Sequence, residues 1–211
     1  GKIVRKGECV EKKTLAMLQA HDELLAFRAD LAEYNKPRHA AINAQETKTS
    51  RGETVLLHRE DDHRVGVVLV HGFLASPAEL QEFAQELHDA GHTVYLVRLR
   101  GHGTSPWDLR DRCYEDWFAS VQRGIEIIRG LCEKVAVVGF STGGSLALYA
   151  ASQNHDEPLA AVCSARVPVG SHLTPMMFVP SGPGANRLVR HIHLLQGAKP
   201  LSEPRLSPLV T

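Results

Sequence analysis

Ser141 stands in segment 139–144, which reads Gly-Phe-Ser-Thr-Gly-Gly. The apolar run 134–138 before it predicts a β-strand, and residues 145–152 after it predict a helix. A serine at the apex of a strand–turn–helix is typical of the nucleophile elbow, in which the hydroxyl projects from a sharp turn at the positive end of a helix. Such a hydroxyl can attack a carbonyl carbon. The alternative is a glycine-rich turn that only packs, or one that binds a phosphate at the helix end.

The glycines around Ser141 suit a turn of this kind. Gly139 and Gly143, two residues before and two after the serine, would crowd each other if they carried side chains. Gly144 lets the following helix pack close to its strand. We therefore expect a strained backbone at Ser141, enforced by the surrounding structure.

Strand and helix patterns alternate from residue 65 to residue 163. Strands are predicted at 53–58, 65–70, 93–97, 134–138 and 158–163, and helices at 76–90, 114–131 and 145–152. The helix at 76–90 begins with a predicted capping box at Ser76 and Glu79 and ends at Gly91. Continuous apolar strands are covered on both faces, so the pattern predicts an α/β fold with a mostly parallel sheet and flanking helices.

The pattern divides the chain into three parts: an N-terminal helical extension and linker at 1–50, an α/β core at 51–170, and the start of a cap or lid at 171–211. No further clear strand is predicted after Val167. The extension contains a helix from about Glu11 to Tyr34, with apolar side chains in two rows: Leu24, Phe27, Leu31 and Tyr34, and Leu15, Leu18 and Leu25. We expect it to pack on the side of the core; a dimerisation helix or a membrane-surface helix is the alternative.

Composition excludes some classes of function. The 211 residues carry a net charge of +0, which gives no electrostatic reason to propose a nucleic acid partner. No apolar run is long enough to span a bilayer, and the first residues lack the apolar core of a secretion signal. The four cysteines show no paired spacing, so we predict reduced, mostly buried thiols in a cytoplasmic protein.

Four segments together resemble the α/β-hydrolase family, and within it the bacterial carboxylesterase and monoacylglycerol-lipase branch. They are HGFLASPAEL at 71–80, RLRGHGTSP at 98–106, DRCYEDW at 111–117 and GFSTGG at 139–144. The resemblance covers about residues 53–200. It implies an α/β-hydrolase fold and a serine carboxylic-ester hydrolase acting on a short-chain ester or a monoacylglycerol, with no metal or organic cofactor.

The resemblance also implies roles for particular residues. Ser141 matches the nucleophile, and the backbone N–H groups of Phe73 and Thr142 match the two donors of the oxyanion hole. The apolar side chains of Met176, Met177 and Phe178 either line an acyl pocket or pack the cap.

The family's chain order is serine, then an acid, then a histidine, and no residue after Ser141 stands in the family's context for the last two. We expect the chain to be truncated within the cap, without the last core strands, so that the catalytic histidine and acid lie beyond Thr211. The alternative from another class is a non-catalytic hydrolase-like fragment or interaction domain that self-associates or needs a complementary chain through its exposed sheet edge.

The remaining histidines have structural and chemical interpretations. The resemblance gives His71 and His102 structural roles beside two loops, against the alternative that one of them is the base. His191 and His193 are a candidate metal pair, but two histidines need further ligands, and we expect exposed positions on a cap helix and no metal site.

Overall fold

The computed structural model describes residues 2–45, 52–60, 64–154, 157–165, 167–169, 172–174 and 177–180. The helices are α1 (Lys2–Tyr34), α2 (Ala40–Asn43), α3 (Gln81–Asp89), α4 (Pro106–Arg110), α5 (Tyr114–Leu131) and α6 (Thr142–Gln153). The strands are β1 (Val55–Leu57), β2 (Val65–Val70), β3 (Thr93–Val97), β4 (Lys134–Phe140), β5 (Ala161–Ala165), β6 (Val167–Val169), β7 (His172–Thr174) and β8 (Met177–Pro180).

The main sheet has the strand order β1-β3-β2-β4-β5-β8. The four inner strands are parallel, and β1 and β8 run antiparallel at the two edges. Val70 pairs with Val97 on one side and with Gly139 on the other, so three strands end level at one edge of the sheet. The predicted α/β fold with a mostly parallel sheet is confirmed, and this edge is where the loops after β2, β3 and β4 meet.

Alternate residues of each strand supply two apolar layers, one on each face of the sheet. Val68 and Val70 belong to the layer under α5 and α6, whereas Val67 and Leu69 belong to the layer under α3. All four side chains are fully buried. Burial on both faces explains why β2 reads as a continuous apolar run instead of an alternating one.

Helix α1 packs against α5, as predicted for the N-terminal extension. Its buried face consists of Ala16, Ala20 and Phe27, and a Cβ on Gly130 of α5 would lie 2.6 Å from the Ala16 Cβ. The small residues let the two helices approach closely. The predicted second apolar row, Leu15, Leu18 and Leu25, is exposed instead of packed.

Two local expectations are wrong. Ser76 makes no side-chain cap, because the Glu79 N–H bonds to the Ser76 carbonyl at 3.1 Å in a 3₁₀ turn, Pro77–Leu80. Strands β6, β7 and β8 follow the point after which no strand was expected, and β8 joins the main sheet beside β5. Each of these strands has only three or four residues, too few for a periodic signal.

Of the cysteines whose side chains are described, Cys132 and Cys163 are buried, Cys113 is exposed, and all three are free thiols. Burial raises the pKa of the Cys163 thiol to about 12, so that thiol is unreactive at neutral pH. Among the helices in the described part of the chain, none combines the length and the apolar character needed to cross a membrane.

Candidate active site

Ser141 occupies the turn between β4 and α6, at the sheet edge where three strands end. Its backbone has φ 52° and ψ −118°, a conformation that residues other than glycine rarely adopt. Strain of this kind costs on the order of 1–3 kcal/mol and persists only where the surrounding structure enforces it. The strained backbone predicted for Ser141 is therefore present.

The turn is tight enough that only hydrogen fits at its flanking glycines. A Cβ on Gly139 would lie 2.1 Å from the Gly143 carbonyl oxygen and 2.6 Å from the Gly144 nitrogen. A Cβ on Gly143 would lie 2.4 Å from the carbonyl oxygens of Val70 and His71. All of these neighbours are backbone atoms, so they cannot move aside by changing a rotamer.

We expect Gly139→Ala to destabilise the protein by about 1–3 kcal/mol, because the added methyl group must push the backbone of α6 away from β4. Urea unfolding at neutral pH measures the change. Gly72→Ala is the matched control for stability, since a Cβ there would meet its nearest atoms at 3.4 Å, an ordinary contact. Equal stability losses in the two variants would contradict the expectation.

The loop after β2 lies directly against Ser141. A Cβ on Gly72 would lie 3.4 Å from the Ser141 Cβ and 4.0 Å from its Oγ. Phe73, the next residue, is 52 % exposed. Thr142 is the first residue of α6, and its N–H is among those that have no acceptor within the helix. Both segments predicted to carry the oxyanion donors therefore adjoin Ser141, and the donor role of Phe73 and Thr142 stays a prediction.

His71 is locked as a neutral imidazole. Its Nδ1–H donates to the Gly72 carbonyl at 2.8 Å, and its Nε2 accepts the Leu99 N–H at 3.2 Å. Burial is the main cause that lowers the pKa of His71 to about 3. Both nitrogens are engaged, so His71 does not serve as a base for Ser141.

The ring of His102 packs behind the exposed Phe73. Its centroid lies 5.0 Å from that of His71, 5.8 Å from Phe73 and 5.5 Å from Trp117. The Nδ1–H of His102 donates to the Leu99 carbonyl at 3.2 Å. Its Nε2 is buried and has no hydrogen-bond partner among the described residues, and burial lowers the pKa of His102. His102 therefore supports the loops structurally.

The buried, neutral His71 makes stability depend on pH. The unfolded chain protonates this side chain below its ordinary pKa of 6.5, whereas the folded chain does so only near 3. Folding stability therefore falls as pH drops below the ordinary pKa, by about 2 kcal/mol between pH 6.5 and pH 5 from His71 alone. We expect His71→Gln to flatten this acid limb in urea unfolding measured across that range. An unaltered slope in His71→Gln would refute the assignment.

A cleft of about 360 Å³ opens beside Phe73. Leu74, Leu109 and Trp117 line it together with His102. Arg110, stacked over the exposed Trp107 at 4.8 Å, lies at the same cleft. The apolar lining gives room for a short hydrocarbon chain next to the loop that adjoins Ser141.

Other predicted site residues lie farther along the chain. Met177 and Phe178 are in β8, where Met177 pairs with Ser164, which in turn pairs with Gly139. Met176, His191 and His193 lie outside the described residues, so their roles stay predictions. Within the described ranges, no histidine bonds to Ser141, and no group of three or more His, Cys, Asp or Glu side chains could hold a metal ion.

A buried ionic cluster beside the site was not predicted from the sequence. Asp108 of α4 is fully buried and accepts hydrogen bonds from Thr104 at 2.6 Å, Arg112 at 2.7 Å and Arg98 at 3.3 Å. Arg98 also donates to Asp30 of α1 at 2.8 Å. The Ser105-Pro106 pair, a helix start signal, could have located α4. The sequence offers no signal for the pairing with α1.

A family model described as "Alpha/beta hydrolase family" matches residues 67–209. The thermostable monoacylglycerol lipase of Bacillus sp. (strain H-257) is 42% identical over 92 residues, which are 44% of this chain and 37% of the lipase. The carboxylesterase of Bacillus subtilis (strain 168) is 32% identical over 83 residues, which are 39% of this chain and 34% of the esterase.

A solved structure of LipS and LipT, two metagenome-derived lipolytic enzymes, superposes with a TM-score of 0.51. The sequence identity is 29%, over 57% of this chain and 48% of that chain. The chain thus spans about a third of the length of the two Bacillus relatives and about half of the solved structure.

Proposed function

Because this chain belongs to the alpha/beta hydrolase family, we propose that it acts as a serine carboxylic-ester hydrolase through an acyl-enzyme on Ser141. The observation that carries the proposal is the turn at Ser141. There a strained backbone places a half-buried serine directly before α6 and against Gly72 of the loop after β2. The two Bacillus relatives, a monoacylglycerol lipase and a carboxylesterase, support a short-chain ester or a monoacylglycerol as the substrate.

In the proposed reaction, the Oγ atom of Ser141 bonds to the ester carbonyl carbon, and negative charge develops on the carbonyl oxygen. The backbone N–H groups of Phe73 and Thr142 receive that charge, and loss of one such donor typically lowers kcat on the order of a hundred- to a thousand-fold. The carbon–oxygen bond to the alcohol then breaks, and the alcohol leaves with the proton of the serine hydroxyl. Water attacks the acyl-enzyme, releases the carboxylic acid and restores the hydroxyl.

The reaction requires a base, since a serine hydroxyl alone is a weak nucleophile. Both nitrogens of His71 are hydrogen-bonded, and the Nε2 atom of His102 is buried. We therefore assign the base and its partner acid to residues outside the described ranges, within the whole protein.

A fluorophosphonate probe tests the proposal, because it phosphonylates an activated serine. We expect mass spectrometry of the labelled whole protein to find the adduct on Ser141 and none in Ser141→Ala. Ser152→Ala, a replacement at the exposed end of α6, is the control and keeps the label. Undiminished labelling of Ser141→Ala would exclude the mechanism, and labelling only after a second chain is added would favour the complementary-chain alternative.

A further inference from the structure

We call residues 98–105, the loop that follows β3, the β3 loop. Residues from the N-terminal side of the chain contact this loop at several points. At its start, Arg98 Nη1 donates to Asp30 of α1 at 2.8 Å, and the guanidinium lies 4.9 Å from the centre of the Phe27 ring. Asp30 and Phe27 are both 68 or more positions away from Arg98 in the sequence. Helix α1 therefore holds the β3 loop from outside the sheet.

Two more contacts reach the far end of the same loop. Ser105 Oγ donates to Asn43 Oδ1 of α2 at 2.6 Å. A Cβ on Gly103 would lie only 2.3 Å from the Cα of Gly52, so the two backbones touch. Helix α1 thus contacts the β3 loop at its beginning, and α2 and Gly52 contact it near its end.

The β3 loop is hydrogen-bonded in turn to the segment beside Ser141. Arg98 Nε donates to the His102 carbonyl at 2.8 Å. The N–H of Leu99, the residue after Arg98, donates to His71 Nε2 at 3.2 Å, and His71 Nδ1–H donates to the Gly72 carbonyl at 2.8 Å. The Gly72 carbonyl and the Phe73 N–H belong to one planar trans peptide, so fixing the carbonyl fixes the direction of the N–H.

We propose that Asp30 is a positioning residue that acts through Arg98, Leu99 and His71 to aim the Phe73 N–H at the carbonyl oxygen of the substrate. The catalytic part of this inference rests on the proposed function. Arg98 is buried, and each of its three nitrogens has an acceptor: the His102 carbonyl, Asp30 and Asp108. Loss of Asp30 leaves a buried donor unpaired, which the guanidinium relieves by moving and taking the β3 loop with it.

The first readout is steady-state hydrolysis of p-nitrophenyl butyrate by the whole protein. We expect Asp30→Ala to lower kcat about tenfold with KM unchanged, because an oxyanion donor stabilises charge that exists only in the transition state, and a misaligned group acts less well there. Asp30→Asn keeps an oxygen for Arg98 and recovers most of kcat. Asp22→Ala, on an exposed position of the same helix, leaves kcat unchanged.

The second readout does not depend on catalysis. Trp117 Nε1–H donates to the Arg100 carbonyl in the β3 loop at 3.1 Å, so its fluorescence reports the position of that loop. The protein has two tryptophans, and a Trp107→Phe background isolates the signal of Trp117. We expect Asp30→Ala to shift the emission of Trp117 to longer wavelength, since the displaced loop admits water, and Asp22→Ala to leave it unchanged.

The two readouts separate the possible failures. A folded Asp30→Ala variant with unchanged kcat, or with a lower kcat but unchanged Trp117 emission, overturns the positioning role. Undiminished hydrolysis in Ser141→Ala overturns the proposed function instead. The Trp117 emission then still tests whether Asp30 holds the β3 loop in place. If circular dichroism shows that Asp30→Ala does not fold, Asn43→Ala is tested instead, since it removes the hydrogen bond from Ser105 of the same loop. That variant must then lower kcat and shift the Trp117 emission, or the inference fails.

Discussion

Replacing Ser141 by alanine is expected to lower kcat for p-nitrophenyl butyrate on the order of a million-fold, because removal of the nucleophile of a serine hydrolase leaves only substrate binding and oxyanion stabilisation. The turn itself tolerates the change, since alanine fills no more space than serine. Steady-state kinetics of the whole protein measure the effect, and urea unfolding verifies that the variant is folded.

Ser152→Ala serves as the control for kinetics as it does for labelling. Its hydroxyl donates to the Tyr149 carbonyl at the exposed end of α6, far along the helix from the turn. We expect wild-type kcat in this variant. A Ser141→Ala variant that keeps more than a hundredth of wild-type kcat would exclude the acyl-enzyme.

Asp108→Ala is expected to have the largest effect on stability, about 3–5 kcal/mol, because it removes the shared acceptor of two arginines in the protein interior. Asp108 is fully buried and bonds to Arg98, Arg112 and Thr104. Without the carboxylate, Asp30 is the one anionic partner that the buried guanidinium of Arg98 retains among the described residues. Urea unfolding at neutral pH measures the loss.

Two further variants serve as comparisons for the stability loss in Asp108→Ala. Asp111→Ala removes an exposed carboxylate one position after the end of α4, and we expect little change in the free energy of unfolding. Asp108→Asn keeps the shape and one acceptor oxygen but loses the charge, so its loss lies between the other two. If Asp108→Ala is no less stable than Asp111→Ala, the cluster contributes nothing to folding.

The sequence alone predicts those elements whose signals are local. Strand β3 and helix α5 have the predicted bounds, 93–97 and 114–131. Gly91, whose φ of +101° ends the preceding helix, and the spacing of Trp117, Val121 and Ile125 carry that information within a few residues. The turn at Ser141 is predictable for the same reason, since strand, glycines and helix adjoin it in sequence.

What the sequence did not predict depends on contacts between distant positions. Asp30 and Arg98 are 68 positions apart, and neither residue type implies the other. The exposed Leu15 and the buried Ala16 reverse the burial expected from hydrophobicity, because the close approach of α1 to Gly130 favours a small side chain.

The backbone conformation at Ser141 lowers the stability of the fold, although the proposed chemistry needs a hydroxyl at this position. At φ 52°, glycine would relax where serine is strained, so a Ser141→Gly chain gains about 1 kcal/mol from relief of backbone strain alone. A search for thermostable variants that ignores turnover would therefore discard this hydroxyl.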